Sequence, residues 1–254
     1  MAKKNRIVFF FPSYRSNEAT PPVALISIAA PLLNAGYEVE IVDSTVEKDY
    51  LSEVMARMDG ALCLGISLIT GPMIEEAVEV GTAVKERYPD IPIVLGGWHP
   101  SILPEQSLEP SFVDVVVLRQ GEITMLELAD RFRDGASLDD VSGILWKDNG
   151  TMQRNAPRLY PKVAELPSRI PGYDLIDYDR YEQHTGLRWV MYTTSHGCPY
   201  NCSYCSNASV YGRNLDLLPV EQVVDELTYL VRKFNVKLLG LTDDIFFAFR
   251  DRSL

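Results

Sequence analysis

"GALCLGISLITGPMIEEAVEVGTAVKERYPDIPIVLGGWHP", residues 60–100, decides the fold. Residues 60–67 are apolar throughout, as expected for a strand covered on both faces. Residues 72–88 carry the clearest helical periodicity in the chain. Residues 91–97 return to an apolar run and end in two glycines. A strand, a helix and a second strand in this order make one parallel crossover, and such crossovers are right-handed.

The same alternation extends outward in both directions. Strands are expected at 6–11, 38–43 and 113–119, and helices at 21–36, 48–58 and 123–135. Two prolines open the 21–36 helix and Gly36 stops it. Pro31 predicts a kink or a break inside that helix. The whole series reads as α/β, a Rossmann-like doubly wound parallel sheet with helices on both faces. Ligands on such sheets sit beyond the carboxyl ends of the strands, near the point where strand order reverses. The segments to watch are therefore 12–20, 68–71, 97–101 and 120–122.

Residues 142–155 break the pattern. Two short runs flank Asp148-Asn149-Gly150, the signature of a β-hairpin appended to the first domain. Residues 156–189 hold Pro157, Pro161, Pro167 and Pro171 and read as an irregular linker packed across both neighbours. A strand at 189–195 is expected to lead straight into a cysteine-rich loop. A helix at 219–234 and a strand at 236–244 follow. The reading divides the chain into 1–140, 141–188 and 189–254.

The composition is that of a globular protein: 254 residues, 46% hydrophobic and 23% charged, with a net charge of −11. No basic stripe marks a nucleic-acid binder, and the acidity reads as solubility. The start is basic and then apolar, but the apolar run is too short for a secretory signal and ends in Pro12; no later run approaches a membrane span. With only four cysteines, three of them clustered, a disulfide scaffold is disfavoured and a cytoplasmic location is expected.

That cluster is Cys198, Cys202 and Cys205, spaced C-x3-C-x2-C. Structural zinc takes four ligands, usually in two separated pairs. His196 is a conceivable fourth, but two residues from Cys198 it is awkwardly placed. Three free thiols in a loop would invite oxidation. An iron–sulfur cubane suits the pattern better. Four thiolates usually saturate it, so three leave one iron open to a ligand.

"GCPYNCSYC", residues 197–205, resembles the cluster loop of the radical SAM superfamily, placed after the first strand of a partial (β/α) barrel. The resemblance implies a [4Fe–4S] cluster on Cys198, Cys202 and Cys205 whose open iron chelates S-adenosylmethionine. It also implies electron transfer that cleaves the sulfonium C–S bond to give a 5′-deoxyadenosyl radical. Tyr204 would lie near the adenine. Asp243 or Asp244 would stand where the family has a Gly-Gly-Glu-like segment near the amino group, unless they serve as helix caps.

The first domain resembles the B12-binding domain that precedes the barrel in one radical SAM class. The pieces that carry this are 21–43, "LGISLITG" (64–71), "IPIVLGGWHP" (91–100) and "VDVVVLRQGE" (113–122), within a span of roughly 6–135. A corrin needs an open sheet edge, and its nucleotide tail needs a groove where backbones approach closely. Ser67, Thr70, Gly96, Gly97, His99, Gly121 and Glu122 are the residues the resemblance assigns to it. One departure is notable: the 12–20 loop lacks the D-x-H-x-x-G histidine that ligates cobalt in mutase-type domains, so no histidine of this loop is expected to do so.

The resemblance implies a cobalamin-dependent radical SAM enzyme acting by methyl transfer, rearrangement or cyclisation on a small substrate, with a flavodoxin or ferredoxin as electron donor. Two alternatives stand beside it: a radical SAM protein whose first domain holds no B12, and a non-catalytic corrin or iron–sulfur module. A methylthiotransferase would need three more cysteines in the first domain, where only Cys63 stands. A βα unit with its return strand takes roughly 30 residues. The stretch after Cys205 thus holds about one unit and the start of another, so the chain is expected to be truncated within the radical SAM domain and to cleave little S-adenosylmethionine alone.

Overall fold

The computed structural model describes residues 5–14 and 19–248. The 12–20 loop and the apolar C-terminal run 246–254 therefore lie only partly within the described residues. In chain order the first elements are β1 (Arg6–Phe11), α1 (Val23–Asn34), β2 (Glu38–Asp43), α2 (Tyr50–Met58), β3 (Cys63–Leu68), α3 (Met73–Arg87) and β4 (Ile93–Gly97). Next come α4 (Trp98–Ile102), α5 (Pro104–Leu108), β5 (Val115–Val117), α6 (Glu122–Asp134), β6 (Ile144–Asp148) and β7 (Thr151–Arg154).

These strands form one seven-stranded sheet in the order β2-β1-β3-β4-β5-β6-β7. The first five are parallel. The order reverses between β1 and β3, which places the switch point there. All six residues of β3 are buried, as a central strand sandwiched by helices requires. On one face Val54, Met58, Met73, Val80 and Val84 of α2 and α3 pack on the strands. On the other, Leu25, Ala29 and Leu32 of α1 join Met125 and Leu128 of α6.

Three expectations bear on these elements. Pro31 neither breaks nor splits α1, which runs continuously to Asn34 with Pro31 in its last turn. The missing N–H removes the donor that would pair with the Ser27 carbonyl, yet the helix continues, and Ala35 N–H closes it on the Pro31 and Leu32 carbonyls. The 142–155 hairpin is found as expected, and it joins the first domain by its strand: β6 pairs antiparallel with β5, so the hairpin extends the sheet. Its Asn149-Gly150 turn has both φ angles positive, 48° and 80°, the primed geometry that matches strand twist.

The third concerns 156–189, which contains two helices, α7 (Ile170–Tyr173) and α8 (Tyr178–Thr185), beyond a 3-10 turn at Val163–Glu165. Asp177 caps α8 by accepting from the Asp179 N–H at 3.1 Å. The segment supplies Tyr173, Ile176, Tyr178 and Tyr181 to a third core, which joins Ile26 of α1 to Val190, Tyr192 and Leu230 of the last part. The expected packing across both neighbours is thus observed.

The last elements are β8 (Trp189–Tyr192), β9 (Ser195–Gly197), α9 (Asn207–Tyr211), β10 (Leu215–Leu217), α10 (Val220–Phe234) and β11 (Leu238–Leu241). β8 and β11 pair in parallel, with α10 between them in sequence. The strand expected over 189–195 ends at Tyr192. Two side chains take the next backbone groups: Arg169 donates to the Thr193 carbonyl at 2.7 Å and Asp243 accepts from the Thr194 N–H at 3.1 Å. The chain then re-enters as β9, antiparallel to β10, before the cysteines.

Candidate functional site

A cleft of about 480 Å3 opens at the carboxyl edge of the parallel sheet. Ser67, Leu68, Gly96, Gly97, Gly121 and Glu122 line one side. Its floor reaches between the sheet and the helices α1 and α6, over Phe9, Leu25, Ile28, Val94 and Met125. The facing wall comes from the far end of the chain: Thr193, Ser195, His196, Tyr211, Thr242 and Asp244. The sheet edge and the segment that runs into the cysteine loop thus share one cavity.

The paired glycines act differently. Gly97 has φ +98°, and a Cβ there would stand 2.5 Å from the Leu68 carbonyl oxygen and 3.2 Å from Ser67 Oγ. A Cβ at Gly96 would meet nothing nearer than Val117 Cβ at 3.9 Å, so position 96 leaves the groove open by lacking a side chain. Ser101 Oγ donates to the Gly97 carbonyl at 2.7 Å and accepts from the Arg119 N–H at 2.8 Å, tying the loops after β4 and β5 together.

Glu122 is buried at the first turn of α6. Burial pushes its carboxyl up, while its own N–H, the Arg169 guanidinium and the Gly121 N–H pull it down. Thr70 and His99 do not line the cleft. Thr70 Oγ1 and His99 Nδ1 lie 3.0 Å apart with the ring buried, and burial lowers the imidazole pKa.

The cysteine loop projects from the end of β9. Cys198 is half-buried, and Cys202 and Cys205 are exposed, all as free thiols. The Cys205 N–H donates to the Cys202 carbonyl at 3.1 Å, and the Asn207 N–H lies 3.4 Å from Cys205 Sγ. The three side chains share one loop without converging: among the described residues no three His, Cys, Asp or Glu groups come together as a metal site. Tyr204 is 90% exposed, with its hydroxyl against Cys202.

The two aspartates after β11 divide their work. Asp243 Oδ1 accepts from Thr194 Oγ1 at 2.7 Å and from Ser195 Oγ, and its other oxygen accepts from the Thr194 N–H. Asp244 accepts from the Gly197 N–H at 3.2 Å and also lines the cleft. Both carboxylates are thus engaged by the segment that leads into the cysteine loop.

Sequence reasoning missed a chain of three side chains across the cleft. Arg169, buried, places Nη2 3.2 Å from His196 Nε2, and His196 Nδ1 lies 2.6 Å from the Gln120 amide. Burial and the Arg169 charge hold His196 down at about 4, against the opposing pull of Asp243. The 120–122 loop was marked by its place after a strand, but the pairing spans 76 residues and leaves no local pattern.

Residues 15–129 match the B12-binding domain family. The chain is 30% identical over 239 residues to an uncharacterized methyltransferase, PH0819, of Pyrococcus horikoshii, covering 92% of this chain and 51% of that protein. It is 28% identical over 235 residues to the anaerobic magnesium-protoporphyrin IX monomethyl ester cyclase of Synechocystis, covering 89% and 46%. The chain therefore spans about half the length of the curated relatives it matches. Its fold superposes with a TM-score of 0.80, at 21% identity and over 98% of its length, on 49% of TsrM from Kitasatospora setae, a radical S-adenosylmethionine methyltransferase solved with cobalamin and a [4Fe–4S] cluster bound.

Proposed function

We propose that the chain forms the cofactor-binding part of a cobalamin-dependent radical SAM enzyme, a reading supported by its match to the B12-binding domain family and its similarity to a methyltransferase and a cyclase. A corrin occupies the carboxyl edge of the sheet, and a three-thiolate [4Fe–4S] cluster sits on Cys198, Cys202 and Cys205. The reaction is methyl transfer, rearrangement or cyclisation on a small substrate. The single observation that carries this reading is the shared cleft: the sheet edge and the segment entering the cysteine loop line the same cavity.

The residues present suit these groups. The floor under Gly96 is apolar and open, as a flat ring and its tail require, and the Gln120 amide has a buried polar end with no partner within the protein. Three thiols on one loop are the donor set of a cluster with one free iron. When bound, the cluster supplies an electron for cleaving S-adenosylmethionine, and the corrin supplies a transferable methyl group or a redox relay. The chain's own part is to hold and orient. Asp244, one of whose oxygens holds the Gly197 N–H, faces the cleft and is the better partner for the amino group of S-adenosylmethionine. Asp243 is committed to Thr194 and Ser195 and fixes the entry to the loop. Ser67 and Gly97 border the corrin, whereas Thr70 and His99 support the loop from behind. Reduction calls for a low-potential donor such as a flavodoxin or ferredoxin, and four free thiols suit the reducing cytoplasm. Among the described residues no helix is long and apolar enough to cross a membrane.

Oxygen-free production with iron, sulfide and hydroxocobalamin tests the reading. After gel filtration we expect about one corrin and about four irons per chain. Replacing all three cysteines of the loop with alanine should remove the iron and leave the corrin. Iron that survives this change overturns the ligand assignment. Corrin that washes out of a correctly folded chain favours the accessory-domain alternative.

A further inference from the structure

An arginine side chain only donates hydrogen bonds. Arg169 Nη2 lies 3.2 Å from His196 Nε2, so that nitrogen must be bare and accept. The neutral ring then carries its hydrogen on Nδ1. Gln120 faces Nδ1 at 2.6 Å with its Nε2, which sets one donor against another, and leaves Oε1 buried without a partner. Turning the amide by half a revolution removes the donor–donor clash. Oε1 then accepts from Nδ1–H, and the NH2 group takes the buried position that has no partner in the protein. Gln120 lines the cleft, as does His196. The guanidinium that begins the chain is itself fixed, because Nη1 donates to the Thr193 carbonyl at 2.7 Å.

We propose that Arg169, through His196, orients the Gln120 amide so that its NH2 donates to an acceptor oxygen of a cofactor bound in the cleft. The shared ligand chemistry is a carbonyl or carboxylate oxygen, offered by the amide-bearing rim of a corrin or by the carboxylate of S-adenosylmethionine. Gln120 is then a binding residue, and His196 and Arg169 are positioning residues. The orientation stands on the protein alone; only the identity of the ligand rests on the function proposed above.

Two measurements on the full chain test this. Long-range 1H–15N spectra, with the His196 signals assigned by their loss in His196→Gln, should show Nδ1 protonated and Nε2 bare without any cofactor. A hydrogen on Nε2 overturns the proposal. Separate titrations with hydroxocobalamin and S-adenosylmethionine then compare wild type with Gln120→Glu, which still accepts from His196 but presents an oxygen to the ligand. Gln120→Met, which drops the donor, provides the second variant. Both should raise the dissociation constant of one cofactor at least tenfold, about 1.4 kcal/mol, with the circular dichroism spectrum unchanged. The cofactor affected names the source of the oxygen. Wild-type affinity for both cofactors in both variants overturns the proposal, whereas a wild-type chain that binds neither cofactor overturns the function itself.

Discussion

Asp43, at the end of β2, shows what a single buried carboxyl does to this protein. Its side chain accepts from the Tyr181 hydroxyl of α8 and from the Thr45 N–H at 2.8 Å. Burial nevertheless dominates and pushes its pKa from 3.8 up to about 6; bonds from Tyr181 and Thr45 pull it back, and Glu76 adds to the rise. Between those values the folded state keeps a proton that the unfolded state has released. Stability attributable to this group is therefore full below the unfolded value and falls as pH rises through the window, by roughly 3 kcal/mol in order of magnitude. Asp43→Asn removes the titration while keeping one acceptor for Tyr181. Urea unfolding at pH 4.5, 5.5 and 6.5 should give a flatter stability profile for the variant. An unchanged slope would assign the pH dependence to other groups.

Between elements, the critical contact is α7 on α1. A Cβ at Gly172 would fall on the Ile26 carbonyl oxygen, which belongs to the backbone and cannot turn aside. Gly172→Ala should therefore push α7 off α1 and loosen the third core, in which Ile26 and Tyr173 are both fully buried. Overpacking of this kind costs about 1–3 kcal/mol. Limited proteolysis should cut the variant within 156–189 faster than wild type; equal rates would show that α7 does not need this contact. This junction also marks where the sequence stops being legible. The longer elements from β1 to α6 are readable because each buries a face with its own period, as β3 and α3 do, whereas the five-residue helices α4 and α5 show no such pattern and were not expected. The helices α7 and α8 are hidden by Pro171 and by runs of Tyr, Asp and Arg that look irregular until their tyrosines find a core made by distant segments. The end of β8 at Tyr192 is likewise set by Arg169 and Asp243, which no pattern near residue 193 announces. At the site, the post-strand loops and the cysteine spacing could be read from the chain. The separation of Thr70 and His99 from the cleft, and the division of labour between Asp243 and Asp244, needed the fold.

For the whole molecule, the cleft couples ligand binding to stability, because its two walls come from opposite ends of the chain. A ligand held only by the folded state adds RT ln(1 + [L]/Kd), about 2.7 kcal/mol at a hundredfold excess over Kd. For a chain of this size that corresponds to a rise in Tm of roughly 5–10 °C. Hydroxocobalamin should produce such a rise. Position 96 tests whether the effect arises in the groove: a Cβ there meets nothing closer than Val117 Cβ at 3.9 Å, and Gly96 lines the cleft. Gly96→Leu should then keep the Tm of the unliganded chain within a few degrees and abolish the shift. Position 97 could not serve, because its positive φ and the Leu68 carbonyl make any side chain costly to the fold itself. A full cobalamin-induced rise in Gly96→Leu would place the corrin somewhere other than the carboxyl edge of the sheet. Loss of the shift with unliganded stability intact would localise binding to the groove between β4 and α6.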